Sequence, residues 1–145
     1  PHAEQWLKFC KSLGLGRNDV INSKLSGTTV KFLKTFEELT EKSFAGGVAC
    51  ALAYEMQIPG IAKAKKEGLM RFYGIKGEGL EFFNTHTEAD IEHSNTWKKI
   101  LKSFSSPGIQ REIRKSFNKS LEAQWLMLDG ILEKYGKRKG KAMCS

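Results

Sequence analysis

The sequence predicts an all-α protein, a helical bundle of about six helices, on three observations. Apolar residues recur every three or four positions over most of the chain, which is the period of an amphipathic helix. No segment shows the two-residue alternation of a strand with one buried face. The periodic segments are separated by glycine or proline, as at Gly14, Gly74 and residues 105–108.

The N-terminal helices are predicted from short amphipathic stripes. The first covers residues 3–13 and stops at Gly14. A short helix capped by the Asn-Asp pair at 18–19 follows, and a third begins at Ser26 or Thr28. The apolar positions that make the first helix amphipathic are Trp6, Phe9, Cys10 and Leu13. In the third helix the side chains expected to face inward are Val30, Leu33, Phe36 and Leu39.

A fourth helix, over residues 43–57, contains a single charged side chain, Glu55, among small and apolar residues. A helix that is apolar on all sides is expected to be buried on all sides. Because a buried carboxylate without a partner is costly, we expect Glu55 to have a cation, and a metal ion is a good candidate. The alternatives are that Glu55 lies half-solvated at the end of the helix or pairs with a lysine.

Pro59 is expected either to kink this helix or to begin the next one, which ends at Gly74. After a short loop, a further helix runs from Glu81 towards Phe104. The last long helix is predicted over residues 109–135, with an inward stripe at Ile113, Phe117, Leu121, Trp125, Leu128, Leu132 and Tyr135.

Three candidate metal ligands lie on one stripe of the helix that begins at Glu81. His86, Asp90 and His93 are spaced i, i+4 and i+7, and a helix turns about 100° per residue. Two imidazoles and a carboxylate suit a divalent transition metal. The Asp90-x-x-His93 pair has the spacing of the Glu-x-x-His pair in di-iron carboxylate bundles. The alternative without a metal is a packed histidine that Asp90 orients.

The composition is ordinary for a soluble globular protein, and 145 residues fit one domain, 1–145, with a basic tail at 136–145. The net charge of +8 comes with no nucleic-acid-binding motif, so no nucleic-acid partner is expected. No segment has the ~20 apolar residues of a membrane span. The three cysteines form no metal or redox motif, which suits a reducing cytoplasm. Because the chain begins at Pro1 rather than methionine, we expect it to be part of a longer protein.

Two segments resemble a known group of enzymes. Residues 54–74 are similar to the Glu-x-x-x-Pro…Gly-Leu…Tyr-Gly segment of the CADD-like branch of haem-oxygenase-like di-iron oxidases, in the TenA/PqqC fold superfamily. Residues 82–93 resemble the Phe-x-x-His-x-x-x-Asp-x-x-His signature of the same branch. The two motifs stand in the family's order and separation, and the resemblance runs from His2 almost to the C-terminus.

The resemblance implies a haem-oxygenase-like fold of seven helices, whose first helices are missing from this chain, and six protein ligands for two iron ions, with manganese as an alternative metal. Glu55, His86, Asp90 and His93 match four of the ligands, and His2 is similar to a fifth. The sixth is a glutamate upstream of that histidine, before the first residue of this chain.

The resemblance also implies an iron-dependent oxidase or oxygenase that activates O2 on a small organic substrate. Tyr54 and Lys65 are most similar to the CADD branch, in which 4-aminobenzoate is formed for folate. On this basis Tyr54 could donate an electron, and Lys65 could donate an amino group or bind a carboxylate. Their alternatives are core packing and a surface charge. No membrane partner is expected, and a homodimer is possible.

Two other functions remain open on the sequence. The first is a metal-independent relative of the TenA or PqqC type, in which the same cavity binds an organic ligand and catalysis is acid–base. The second is a non-enzymatic helical interaction domain that presents its basic tail to a partner. Iron content separates the leading hypothesis from the first alternative.

Overall fold

The computed structural model of the chain describes residues 2–136, in which seven α-helices and one short 3-10 helix follow one another. The α-helices are α1 (His2–Ser12), α2 (Arg17–Ile21), α3 (Gly27–Lys42), α4 (Phe44–Glu55), α5 (Ile58–Tyr73), α6 (Glu81–Lys102) and α7 (Pro107–Tyr135). The 3-10 helix, Gly77–Leu80, leads directly into α6. No β-strand occurs between residues 2 and 136, in agreement with the predicted all-α class.

The helix ends follow from local chemistry. The Ser26 hydroxyl caps α3 by accepting the backbone N–H of the third helical residue at 3.1 Å. Pro59 is the second residue of α5, so it begins a new helix rather than kinking α4. Gly74 ends α5 with a φ of 67°, the left-handed conformation that glycine adopts most easily. The short α2 begins after Gly16, and Asp19, predicted as a cap, instead accepts the Gly16 N–H at 2.8 Å.

One compact unit comprises Pro1–Lys24 and Glu55–Ile100. Within it α1 lies close to the 3-10 helix, because a Cβ on Gly79 would stand 2.7 Å from the hydroxyl oxygen of the last residue of α1. The rings of Phe9 and Phe83 meet edge-on with centroids 5.1 Å apart. The buried apolar residues of this unit are Cys10, Ala62, Ile75, Leu80 and Phe83.

The second compact unit comprises Leu25–Tyr54 and Leu101–Ser145. Helix α4 is buried on most of its sides, as its apolar composition predicts; Phe44, at its start, is 69% exposed. The Ser43 hydroxyl, just before α4, donates to the Glu112 carboxylate of α7 at 2.6 Å. The buried residues of α4 are Ala45, Gly46, Val48, Ala49, Cys50, Leu52 and Ala53.

The predicted inward stripe of α7 is wrong over its second half. The residues of α7 that are buried are Ile113, Ser116 and Ser120. Two of these three are small because α4 approaches closely: the Cys50 thiol donates to the Ser120 hydroxyl at 3.4 Å, and a Cβ on Gly46 would lie 3.2 Å from Ser116 Oγ. The larger apolar residues predicted to face inward but exposed are Trp125, Leu128, Leu132 and Tyr135.

The inward stripe of α3 is also displaced from its predicted position. Val30 and Leu33 are exposed, whereas Phe32 is buried with Leu39. The Phe32 ring has its centroid 5.9 Å from that of Phe36. Because Phe32 and Phe36 take the inward positions, the side chains of Val30 and Leu33 face solvent.

The single-domain organisation over residues 1–145 stays a prediction. The predicted basic tail at 136–145 lies, apart from Gly136, outside the described residues. Among the helices of residues 2–136, none combines the length and the apolar character that crossing a membrane requires.

Candidate metal centre

Glu55, Asp90 and His93 converge within the first unit, although Glu55 belongs to a different helix from the other two. Glu55 is the last residue of α4, and Asp90 and His93 lie one turn apart on α6. One ligand atom from each of the three residues can be chosen so that all lie within 4.8 Å of one another. The structure therefore brings together a carboxylate from one helix and a carboxylate–imidazole pair from another.

The distances within this triad suit ligands of a common cation. His93 Nδ1 lies 3.4 Å from Asp90 Oδ1 and 3.7 Å from Glu55 Oε2. Ligands that each stand ~2.1 Å from a metal ion are roughly 3–4 Å from one another. His93 is about half exposed, whereas Glu55 is 24% exposed and Asp90 is 7% exposed at their side chains. A cation held here would have one solvent-accessible side.

The chemistry of the donor set also fits a metal. Asp90 Oδ2 is buried and has no hydrogen-bond partner among the described residues. A buried carboxylate oxygen without a partner is unfavourable, and a coordinated cation would satisfy it. Glu55 is paired with His93 and Trp97 rather than with a lysine. The donors are carboxylate oxygens and an imidazole nitrogen, a combination that iron accepts.

His2 and His86 form a second group in the same unit. Their ring centroids are 4.7 Å apart, with the rings at 65° to each other. His86 Nδ1 lies 2.6 Å from the Phe82 carbonyl oxygen. Because a carbonyl can only accept, Nδ1 must carry the proton, and Nε2 is left with the lone pair that a metal would need. The five predicted ligands thus fall into a triad and a histidine pair, with His86 one turn before Asp90 on α6.

Trp97 is a residue of the candidate site that is not among those predicted from the sequence. Its indole N–H donates to Glu55 Oε2 at 2.7 Å. Trp97 stands four residues after His93, on the same face of α6. The i+4 spacing, together with the rule that a buried indole N–H finds an acceptor, is the signal that could have identified it.

The two predicted catalytic residues lie in different surroundings. Tyr54, in the second unit, packs its ring near Phe32 and Phe36, with centroids 6.3 and 6.0 Å away. Lys65 is exposed on α5 in the first unit and lines a cavity of about 450 Å³. The other residues around this cavity are Trp6, Phe9, Leu13, Gly68, Leu69, Phe72, Tyr73 and Phe83. The cavity wall is therefore mostly apolar and aromatic, with Lys65 as its one cationic side chain.

The described cysteines are not part of the triad. Cys10 and Cys50 are both buried free thiols. Burial raises the pKa of each thiol above its ordinary value. Both are therefore protonated at neutral pH, a form that does not serve as a metal ligand.

Comparison with known proteins places these residues in a family. The model of the family described as iron-containing redox enzyme matches residues 1–125. The 4-aminobenzoate synthase of Nitrosomonas europaea is 34% identical over 137 residues, which cover 92% of this chain and 56% of that protein. The 4-aminobenzoate synthase of Chlamydia pneumoniae is 26% identical over 132 residues, covering 90% of this chain and 59% of that protein.

A pyrroloquinoline-quinone synthase of Acinetobacter baumannii is also similar. It is 25% identical over 137 residues, which cover 91% of this chain and 54% of that protein. The chain thus spans little more than half the length of the curated relatives it matches. The similarity nevertheless extends over nearly all of the chain itself, including both helices that carry the triad.

Proposed function

The chain belongs to the family of iron-containing redox enzymes, and we propose that it is an iron-dependent oxidase or oxygenase that activates O2 on a small organic substrate. The observation that carries the proposal is the convergence of Glu55, Asp90 and His93, with Asp90 Oδ2 buried and unpartnered. Bound iron would supply the O2 and redox chemistry that these side chains lack by themselves. Two iron ions are proposed, with manganese as the alternative metal.

The proposed ligands fall into the triad and the histidine pair described above, and each group has its own role in metal binding. Glu55, Asp90 and His93 would hold one ion through two carboxylates and an imidazole. His86 would offer Nε2, because its Nδ1 is engaged by a backbone carbonyl, and His2 stands against its ring. The exposed side of His93 leaves the triad open to small molecules.

The substrate proposed for this site is an aromatic or aliphatic carboxylate, with 4-aminobenzoate formation as the most specific candidate reaction. Two kinds of support exist: relatives at 34% and 26% identity are named 4-aminobenzoate synthase, and Lys65 places a cation in a mostly apolar cavity. Lys65 is proposed to bind the carboxylate or to donate an amino group. Tyr54 is proposed as an electron donor; its packing near two phenylalanine rings is also what a core residue would show.

A metal-independent reaction is the second candidate, because a pyrroloquinoline-quinone synthase is 25% identical over 137 residues. The buried carboxylate of Asp90 beside Glu55 disfavours it, since acid–base catalysis on an organic ligand does not need this donor set. An interaction domain is the non-enzymatic alternative. A cytoplasmic location, supported by the free thiols of Cys10 and Cys50, and a homodimer complete the proposal.

Iron binding by an Asp90→Asn variant tests the proposal. The 145-residue chain is loaded with Fe(II) without oxygen, desalted and analysed for iron. We expect Asp90→Asn and His93→Ala to lose most of the iron held by the wild-type chain. Each substitution removes one ligand, and the two ligands that remain in the triad bind iron only weakly. O2 consumption with a candidate carboxylate should fall with the iron content.

Glu92→Gln is the matched control, since Glu92 lies on α6 between the two varied residues and is exposed. It should retain wild-type iron content. Far-ultraviolet circular dichroism should be the same for all variants. Full iron stoichiometry in both Asp90→Asn and His93→Ala would refute the assignment of the site.

A further inference from the structure

Trp97, which is not one of the predicted ligands, forms a hydrogen bond with the predicted ligand Glu55. The indole N–H of Trp97 donates to Glu55 Oε2 over 2.7 Å, a distance within the range of well-formed N–H···O bonds. Trp97 therefore contributes a directed polar contact to the triad in addition to its apolar surface.

Glu55 is the member of the triad that most needs such a contact. It is the last residue of α4, and the chain turns immediately after it through Met56 and Gln57 into α5. A glutamate side chain has several rotatable bonds, and ordering it costs conformational entropy. Asp90 and His93, by contrast, have fewer rotatable side-chain bonds and lie within the regular part of α6.

We propose that Trp97 is a positioning residue that holds the Glu55 carboxylate in the orientation facing Asp90 and His93, ready for a metal ion. The inference rests on the proposed function in taking Glu55 as a ligand. Trp97 takes one lone pair of Oε2, and the other lone pairs of the carboxylate are left for a cation. Because Trp97 and His93 are one turn apart on the same helix, α6 sets the distance between the donor and a ligand.

The identity of the donor suits this role. An indole N–H is a donor only and carries no charge. A lysine or arginine at the same place would orient the carboxylate but also repel an incoming cation. Trp97 can therefore fix the ligand without competing electrostatically with the metal, as outer hydrogen bonds to metal ligands do in general.

The hydrogen bond itself can be tested in the metal-free chain by nuclear magnetic resonance of ¹⁵N-labelled protein. The chain has three tryptophans, so three indole N–H signals are expected; Trp6→Phe and Trp125→Phe assign two of them and leave the third to Trp97. We expect the Trp97 signal to lie downfield and to exchange slowly with solvent, and to move upfield in Glu55→Gln. A Trp97 signal that is the same in wild type and Glu55→Gln would overturn the inference without any need for a folded Trp97 variant.

The consequence for metal binding is tested with Trp97→Phe, which keeps an aromatic ring and removes the N–H. Calorimetric titration with Fe(II) under anaerobic conditions should show the dissociation constant rise by roughly 10–100-fold. Trp125→Phe is the matched control, because Trp125 is 63% exposed on α7, and it should bind as wild type does. Circular dichroism and Tm report whether the fold is kept.

The outcomes separate this inference from the proposed function. Wild-type binding of Fe(II) with an unchanged dissociation constant in Trp97→Phe overturns only the positioning role. A wild-type chain that binds no Fe(II) overturns the proposed function, whereas the indole signal still reports on the Trp97–Glu55 bond. Weaker binding in Trp97→Phe together with a Glu55-dependent indole signal supports both.

Discussion

Asp90 is a charged residue that the fold has removed from water. Only 5% of its surface is exposed, and its Oδ2 has no hydrogen-bond partner among the described residues. Such a group is unfavourable in an apoprotein unless a cation or proton neutralises it. The proposed role of Asp90 as a metal ligand would therefore lower the stability of the metal-free chain, and this cost would be offset when a cation binds.

Lys65 is the residue at which the substrate class can be tested. It is the one cation on the mostly apolar wall of the cavity. We therefore expect Lys65→Met to raise the dissociation constant for benzoate by roughly tenfold or more, because the substitution removes a hydrogen bond between two charged groups. Titration followed by ligand-observed nuclear magnetic resonance measures the dissociation constant.

Lys63→Met is the control for charge alone, since Lys63 is exposed on the same helix and does not line this cavity. It should bind benzoate as the wild type does. Benzamide, which lacks the negative charge, should bind poorly to all three proteins. Equal benzoate binding by Lys65→Met and wild type would show that Lys65 is only a surface charge.

Helix α6 organises the candidate site at the scale of secondary structure. His86, Asp90, His93 and Trp97 all come from its 22 residues, at spacings of four, three and four. These spacings place them along one face, so the rigid helix sets their mutual distances. Glu55 is the one member of the triad brought from another helix.

The packing of α3 on α7 provides a test at the same scale. Gly130 of α7 faces Thr28 of α3, and a Cβ at Gly130 would lie 2.1 Å from Thr28 Oγ1 and 2.8 Å from its Cβ. We expect Gly130→Ala to lower the free energy of unfolding by about 1–2 kcal/mol, because overpacking outweighs the gain in helix propensity. Urea denaturation measures this difference.

Gly60→Ala in α5 is the matched substitution without a steric conflict, since a Cβ there would meet no other atom within 4 Å. Its free energy of unfolding should equal or exceed that of the wild type. Equal free energies of unfolding for the two variants would contradict the close contact between α3 and α7 at Gly130.

At the scale of the whole molecule, iron should stabilise the folded chain by mass action. A ligand that binds only the folded state at a hundred times its dissociation constant contributes about 2.7 kcal/mol. For a chain of 145 residues this corresponds to a rise in Tm on the order of 10 °C. Thermal unfolding followed by circular dichroism, with and without Fe(II) under nitrogen, measures the rise.

The Asp90→Asn variant distinguishes iron bound at the triad from a general effect of the added iron salt. Its Tm should not respond to Fe(II). An identical rise in wild type and Asp90→Asn would place the bound iron elsewhere on the chain. A wild-type Tm that does not respond at all would contradict iron binding by the triad.

Much of this architecture could be read from local sequence. The helical class and most helix ends follow from apolar period and from Ser26, Gly74 and Pro59, because these signals act within a few residues of chain. The stripe of His86, Asp90 and His93 follows from helical spacing alone. Family membership was predicted from motifs and agrees with the family match over residues 1–125; the role of each ligand stays a prediction.

What the tertiary structure decided depends on contacts between distant residues. The pairing of Trp97 with Glu55, separated by 42 positions, cannot be read from either segment, since an indole and a carboxylate each have many potential partners. The outward turn of Trp125 and Leu128 likewise follows from the close approach of Ser116 and Ser120 to α4. Local periodicity tells which residues share a face of a helix, but only packing selects which face is buried and which donor reaches which acceptor.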